Sequence, residues 1–127
     1  MSEPSVAFQS AIYTELNSSL SVPIYDSVPQ GAALPYVTID FQDSVNADYL
    51  SGRKDQKTMY FAVWSDSRGQ KQVLEIMAEL DGLLHDKKFT LSVGRIAQMR
   101  VLSKRTNREP DGVTYMGQLR LQVLLEF

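Results

Sequence analysis

The chain has 127 residues, of which 43% are apolar and 22% charged, and its formal net charge is −2. This composition is typical of one globular domain over residues 1–127 and excludes a disordered or fibrous polymer. The absence of cysteine excludes disulfide frameworks, thiolate metal sites and cysteine nucleophiles. Neither a signal peptide nor an apolar run of the roughly 20 residues needed to span a membrane is visible, so we expect a cytoplasm-like compartment and no membrane partner.

Charge is distributed unevenly along the chain. Residues 1–52 contain six acidic and no basic side chains, whereas residues 53–127 contain thirteen basic and nine acidic ones, so the two parts carry −6 and +4. Such a split indicates either a basic face for nucleic acid or unlike surfaces that meet head to tail between copies of the chain. A mixture of both signs over the folded surface is an equally open interpretation.

The first half of the chain predicts a helix and two strands. Apolar residues recur at steps of four from Phe8 to Leu20, which is typical of an amphipathic helix. Residues 36–42 alternate, with Val37, Ile39 and Phe41 on one side, and predict a half-buried strand. Residues 57–65 become apolar on both sides and predict a strand inside the sheet. The polar residues 43–57 predict a loop or an extended hairpin, and residues 46–57 fit a projecting contact loop and a disordered segment equally well.

The second half predicts a helix followed by three strands. An apolar stripe from Val73 to Leu84 indicates a helix that covers the sheet. Strands are predicted over residues 89–93 and 95–104, and the alternation of residues 115–127 predicts the clearest strand of all. Helices collected on a run of antiparallel strands favour an α+β fold, in which an antiparallel or mixed sheet packs against two helices.

Few residues have the pattern of a catalytic or metal site. His85 is the only histidine, and its place at a helix end is more typical of a helix-dipole partner than of a catalyst. Asp26, Asp40, Asp43 and Asp48 could converge on a hard cation, but their spacing matches no metal motif. The seven glycines are scattered singly and form no phosphate-binding loop. We therefore expect no enzyme activity, cofactor or metal.

Basic side chains are the remaining candidates for an interaction site. The alternation of residues 95–104 predicts that Arg100 and Lys104 share one strand face. A sequence pI near 5.3 argues against a dedicated nucleic-acid binder, because phosphate affinity grows with the number of basic contacts. The candidates for a subunit interface or a DNA-facing surface are Arg53, Lys54, Lys57, Arg100, Lys104, Arg105 and Arg108.

Several segments, in order, resemble a family of small tailed-phage proteins that act as tail terminators or tail-completion proteins. The most specific are IYDSVPQGAALPYVTI, the VWS strand end leading to a helix that finishes in LLHD, and the ending DG-x-x-x-x-G-x-LR. With AIYTELNSSL they cover most of the chain, although no motif matches residues 43–56.

The resemblance implies a small α+β subunit that forms a ring, typically a hexamer, on the head-proximal end of the tail tube. The implied partners are further copies of the chain, the tail tube protein and a head-connector or stopper protein, with DNA passing through the ring without specific binding. It also implies a non-catalytic protein of the virion, placed at the head–tail interface and assembled in the host cytoplasm. Another connector component, such as a stopper or adaptor, and a nucleic-acid-binding module are the alternatives.

Overall fold

The fold combines two α-helices with one five-stranded mixed sheet, as the sequence predicts. The computed structural model describes residues 3–50 and 52–127. The elements in chain order are α1 (Ser5–Ser19), β1 (Ile24–Tyr25), β2 (Tyr36–Asn46), β3 (Lys54–Ser65), α2 (Lys71–Leu84), β4 (Arg95–Arg108) and β5 (Tyr115–Glu126).

The strands lie in the order β1-β2-β3-β5-β4. The short β1 runs parallel to β2, and all other neighbouring strands are antiparallel. β3 and β5 form the centre and pair without a register shift, from Lys54 opposite Glu126 to Ser65 opposite Tyr115. The prediction that β3 lies inside the sheet is therefore confirmed, and β1 and β4 form the two edges.

Both helices pack on the same face of this sheet, which we call the covered face. Phe8, Ile12 and Leu16 are the buried residues of α1, at the predicted spacing of four. The apolar stripe of α2 and the inward positions of the strands complete one core. The alternation predicted for β5 is also confirmed, since Gly117, Leu119, Leu121, Val123 and Leu125 are buried while the residues between them are partly or fully exposed.

α2 approaches β5 most closely at Gly117. A Cβ atom at this position would lie 2.5 Å from Val73 Cγ1 and 2.9 Å from Met77 Sδ. The glycine therefore lets the helix pack directly on the strand backbone. Gly82 of α2 has the opposite environment, because a Cβ atom there would meet no atom of the described residues within 4 Å.

Three register shifts in the described strands, one in β2 and two in β4, change which side chains face the core. A register shift between Ile39 and Phe41 leaves Asp40 as an extra residue in β2, so Phe41 is 56% exposed. The prediction that Phe41 shares a face with Val37 and Ile39 is wrong for this reason. In β4, shifts between Ile96 and Gln98 and between Val101 and Ser103 have the same effect at Ala97 and Leu102.

The β4 bulge at Leu102 also separates two basic residues that the sequence predicts on one face. Arg100 lies opposite Gln122, whereas Lys104 lies opposite the buried Leu119. Directly opposed residues of an antiparallel pair share a face, so Lys104 is on the covered face and Arg100 on the other. The expected common face is therefore wrong, because period-two alternation fails at the extra residue Leu102.

Element boundaries differ from the prediction in the second half of the chain. Residues 89–93 form no strand, although Phe89 and Leu91 pack against the core. β4 extends to Arg108, beyond the predicted end at residue 104. Of the polar residues 43–57, those that the structure describes form an extended hairpin, one of the predicted possibilities, in which Asn46 pairs with Asp55.

Candidate interaction surfaces

The strand order places several of the charged residues that the sequence singled out at opposite edges of the sheet. At one edge lie Asp26, directly after β1, and Asp40 and Asp43 of β2, and all three are exposed. β1 pairs only with Val37 and Thr38. Within the described residues, the outer side of residues 40–46 therefore has no strand beside it. We call residues 40–46 with Asp26 the acidic edge.

A groove of about 480 Å³ runs between α1 and the acidic edge. Its polar wall is a chain of side-chain hydrogen bonds: Gln42 Nε2 donates to Gln9 Oε1 at 2.6 Å, and Gln9 Nε2 donates to Asp26 Oδ2 at 2.9 Å. Val6 and Tyr13 supply its exposed apolar area, with 79% and 36% of their surfaces accessible. The groove therefore offers apolar contact beside a negative rim.

The opposite edge of the sheet is basic. Arg100, Lys104, Arg105 and Arg108 are all exposed on β4. Part of this strand is protected by the chain that follows α2: Asp86 N donates to Met99 O at 2.8 Å, and Val101 N donates to His85 Nδ1 at 3.1 Å. Among the described residues no strand lies beside residues 102–108, which we call the basic edge.

His85 therefore has a structural contact, with its ring nitrogen satisfying a backbone N–H of β4. Within residues 3–50 and 52–127, no group of three or more histidine, aspartate or glutamate side chains is arranged to hold a metal ion. Asp48, one of the four aspartates considered for a cation, instead accepts a hydrogen bond from Lys54 N at 3.0 Å. No helix in this part of the chain has the length and hydropathy of a membrane span.

The structure divides the seven basic candidates into three groups. Arg100, Lys104, Arg105 and Arg108 come together on β4, where Lys104 also donates to Asp81 Oδ2 of α2. Arg53 and Lys54 lie two strands away at the β2–β3 hairpin. There the Arg53 guanidinium lies 4.7 Å from the Phe127 ring centroid and the Lys54 ammonium 5.0 Å from that of Tyr49. Lys57 forms the third group.

Lys57 is only 4% exposed and does not reach the surface of the subunit. Its Nζ donates to Ser5 Oγ and Ser44 Oγ, both at 3.5 Å. Burial lowers the pKa of this ammonium group, and the nearby carboxylates of Glu3, Asp55 and Asp43 act in the opposite direction. Lys57, at the start of the covered face of β3, is therefore part of the interior of the subunit and is not available for an interface.

This burial predicts a pH-dependent stability. The folded protein holds the Lys57 proton less tightly than the unfolded chain, so the free energy of unfolding should rise as pH increases from the lowered native pKa toward about 10.4, the value of an exposed lysine. Lys57→Met removes the titrating group. The expected result is that the natural protein gains stability relative to the variant between pH 7 and 10.5, measured as the difference between their free energies of urea unfolding. A difference that stays constant over this range would contradict it.

The sheet face that the helices leave uncovered carries aromatic and basic side chains that the sequence did not assign to a site. Phe41 and Tyr60 stack in a tilted arrangement with ring centroids 5.7 Å apart, and Trp64 Nε1 donates to Thr38 Oγ1 at 3.2 Å. Arg120 is exposed between them and β4. Strict alternation in β5 could have identified Arg120, whereas Phe41 reaches this face only through the bulge.

Comparisons with known proteins decide what kind of subunit this is. A family model described as "Tail completion protein gp17" matches residues 10–126. The chain belongs to this tail-completion family. Membership identifies it as a structural protein of a phage-type tail.

No curated protein matches the chain. Its fold is similar to a chain of a solved structure titled "Virion of native gene transfer agent (GTA) particle", with a TM-score of 0.88, 22% identity and 100% of each chain covered.

The tail-completion motifs occupy positions that the structure explains. In the DG ending, Asp111 accepts hydrogen bonds from the backbone N–H groups of Val113 and Thr114, both at 2.8 Å, which lowers the pKa of its carboxyl. Gly112 has φ +73°, a left-handed conformation that glycine adopts without strain. The ending thus fixes the β4–β5 turn and then supplies Gly117 for the close approach of α2.

Proposed function

We propose that this tail-completion protein forms a ring, typically of six copies, on the head-proximal end of the tail tube. The ring stops tube growth and presents the surface on which the head connector docks. The family match over residues 10–126 is the observation that carries this proposal. The proposed partners are other copies of the chain, the tail tube protein and a connector or stopper protein, while DNA passes through the opening without specific binding.

The two ends of the sheet support a capping role, because a cap needs two unlike faces. The β2–β3 hairpin at one end exposes Tyr49 and Leu50, with 63% and 110% of their surfaces accessible. The β4–β5 turn at the opposite end contains Asp111 and Gly112 in a tight, hydrogen-bonded conformation. In a ring of equivalent copies, these ends form two rims of different chemistry, so one rim can match the tube while the other offers no tube-like surface.

A non-enzymatic role is part of this proposal. The one histidine, His85, is engaged with the backbone of β4, and an assembly protein needs complementary surfaces in place of a reaction centre. Another connector component, such as a stopper or adaptor, would use the same kind of subunit. It differs in acting after tube growth has already stopped.

Deletion of the gene tests termination directly. Electron microscopy of the resulting lysate should show overlong tails without heads, and supplying the natural protein should restore normal length and head attachment. Tails of normal length without heads would favour a stopper or adaptor. Normal tails already attached to heads would contradict the proposal.

A nucleic-acid-binding module remains the second candidate, because β4 contains five basic residues, Arg95, Arg100, Lys104, Arg105 and Arg108. It predicts DNA binding that weakens steeply with salt and is lost in an Arg105→Glu, Arg108→Glu variant. Binding that is weak and unchanged by this double substitution would remove this candidate and leave the basic edge to protein contacts.

A further inference from the structure

Each edge of the sheet is covered over one part of its length and open over another. On β2, the two residues of β1 cover Val37 and Thr38 and leave residues 40–46 open. On β4, His85 and Asp86 occupy the outer side at Met99 and Val101 and leave residues 102–108 open. Within the described residues the two open segments are equal in length, at seven residues each. Open strand edges carry unpaired backbone groups and are templates for another strand.

The charges on these segments select which edges can meet. Asp40 and Asp43 are exposed on the acidic edge, and Arg105 and Arg108 are exposed on the basic edge. Two acidic edges repel each other, and so do two basic edges, whereas an acidic and a basic edge attract. This pattern opposes a two-fold contact between identical edges and favours a head-to-tail contact between different ones.

We propose that the basic edge of one copy adds as a strand to the acidic edge of the next copy, so that the sheet continues from subunit to subunit. The occupant of each open edge is a second copy of this chain. This inference rests on the proposed ring function and names the surface that joins the ring. The contact combines backbone hydrogen bonds along the strands with ion pairs between Asp40 or Asp43 and Arg105 or Arg108.

The direction of the strands agrees with this contact. β2 is antiparallel to β3, β3 to β5 and β5 to β4, so β2 and β4 of one copy run in opposite directions. Copies related by rotation about a ring axis keep this relation, and β4 of one copy therefore meets β2 of the next as an antiparallel pair. Centring one open segment on the other places Asp43 opposite Arg105 and Val45 opposite Ser103.

A mixed disulfide tests this register, and the natural chain has no cysteine to interfere. Val45 and Ser103 are exposed, and both substitutions, Val45→Cys and Ser103→Cys, leave every charge in place. The two variants are mixed at high concentration, oxidised and analysed by non-reducing electrophoresis and mass spectrometry. The expected result is a disulfide dimer of one Val45→Cys chain and one Ser103→Cys chain, at least tenfold more abundant than either homodimer.

Control variants separate this contact from random collision. Val113→Cys introduces a similarly exposed thiol, since Val113 is 61% exposed, in the β4–β5 turn. Paired with Val45→Cys, it should give at least tenfold less mixed dimer. Homodimers as abundant as the Val45–Ser103 dimer would overturn the head-to-tail contact, and so would equal trapping by Val113→Cys or no trapping at all.

Charge reversal gives an independent measurement. Arg105→Glu with Arg108→Glu should reduce trapping at least tenfold, and addition of Asp40→Lys and Asp43→Lys in the partner chain should restore it. The matched control, Lys87→Glu with Lys88→Glu, reverses two exposed charges beside the covered half of β4 and should leave trapping unchanged. A loss of trapping in this control as large as in the Arg105, Arg108 variant would also overturn the proposal.

The outcome can be separated from that of the proposed function. If the trapping fails while gene deletion still gives overlong tails, termination stands and this interface is wrong. If the trapping succeeds and deletion leaves tails normal, the copies join through these edges but do not terminate the tube.

Discussion

Gly117→Ala is expected to destabilise the protein by about 2 kcal/mol, within the range for overpacking a well-packed core. The added methyl group would stand 2.5 Å from Val73 Cγ1 and 2.9 Å from Met77 Sδ. The unbranched Met77 can move its thioether aside, whereas a valine in a helix has essentially one χ1 rotamer. The strain therefore falls on Val73, and relief requires α2 to shift from β5. Urea unfolding at pH 7 measures the effect.

A double-mutant cycle identifies the cause. Val73→Ala removes Cγ1, so adding Gly117→Ala to that variant should cost at least 1 kcal/mol less than adding it to the natural protein. Gly82→Ala is the matched control, because its site on α2 is open and alanine favours helix over glycine by about 1 kcal/mol. This control should be more stable than the natural protein. A cost of Gly117→Ala that is the same in both backgrounds would contradict the packing explanation.

Phe61→Ala is expected to cost about 3–5 kcal/mol, the range for removing a buried aromatic side chain. Phe61 lies in the middle of β3, the strand between β2 and β5, and is fully buried in the core. The cavity would be bordered by strands on both sides and by the helices above, so the surroundings can collapse only partly. The shift of the urea midpoint, at an unchanged slope, gives the loss in stability.

Phe41→Ala is the control that tests the bulge as well. The sequence places Phe41 on the core face of β2, but the extra residue Asp40 turns it outward, where it is 56% exposed. Its loss should cost less than about 1 kcal/mol, mainly through the ring contact with Tyr60. A cost equal to that of Phe61→Ala would mean that Phe41 lies in the core and that β2 has no bulge.

The elements that the sequence predicted well are those with an uninterrupted period. The stripe from Phe8 to Leu16 and the alternation of β5 each correspond to one buried side of a regular element. Where a single extra residue intervenes, every side chain beyond it changes face. Asp40, Ala97 and Leu102 have this effect, and no local composition distinguishes them from regular strand residues. Phe41 and Lys104 were misplaced for this reason.

The acidic and basic edges could not be predicted without the strand order, which the hydrophobic pattern of the sequence does not supply. The sequence showed the charge split, and it grouped the basic residues of β4 correctly because they are close in the chain. Only the order β1-β2-β3-β5-β4 places the acidic and basic residues at opposite edges. The hydrogen bond between His85 and Val101 joins residues 16 positions apart. The periodicity of the sequence does not predict such a contact either. Lys57 was misassigned because a charged residue in a polar stretch gives no sign of burial.

The two open segments lie at different heights along the sheet. Arg105 is level with Thr38 of its own subunit, because both align with Ala62 of β3, whereas Asp43 is level with Thr58, four residues before Ala62 in β3. Joining copies through these segments would shift each copy along the strand direction, relative to its neighbour, by four residues or about 13 Å. The four long strands of one copy are about 19 Å wide. This slope inclines the strands by about 35° to the ring axis, close to the inclination at which sheets close into barrels. The shift between neighbouring copies would therefore favour a continuous sheet that closes into a barrel over one that stays open and flat.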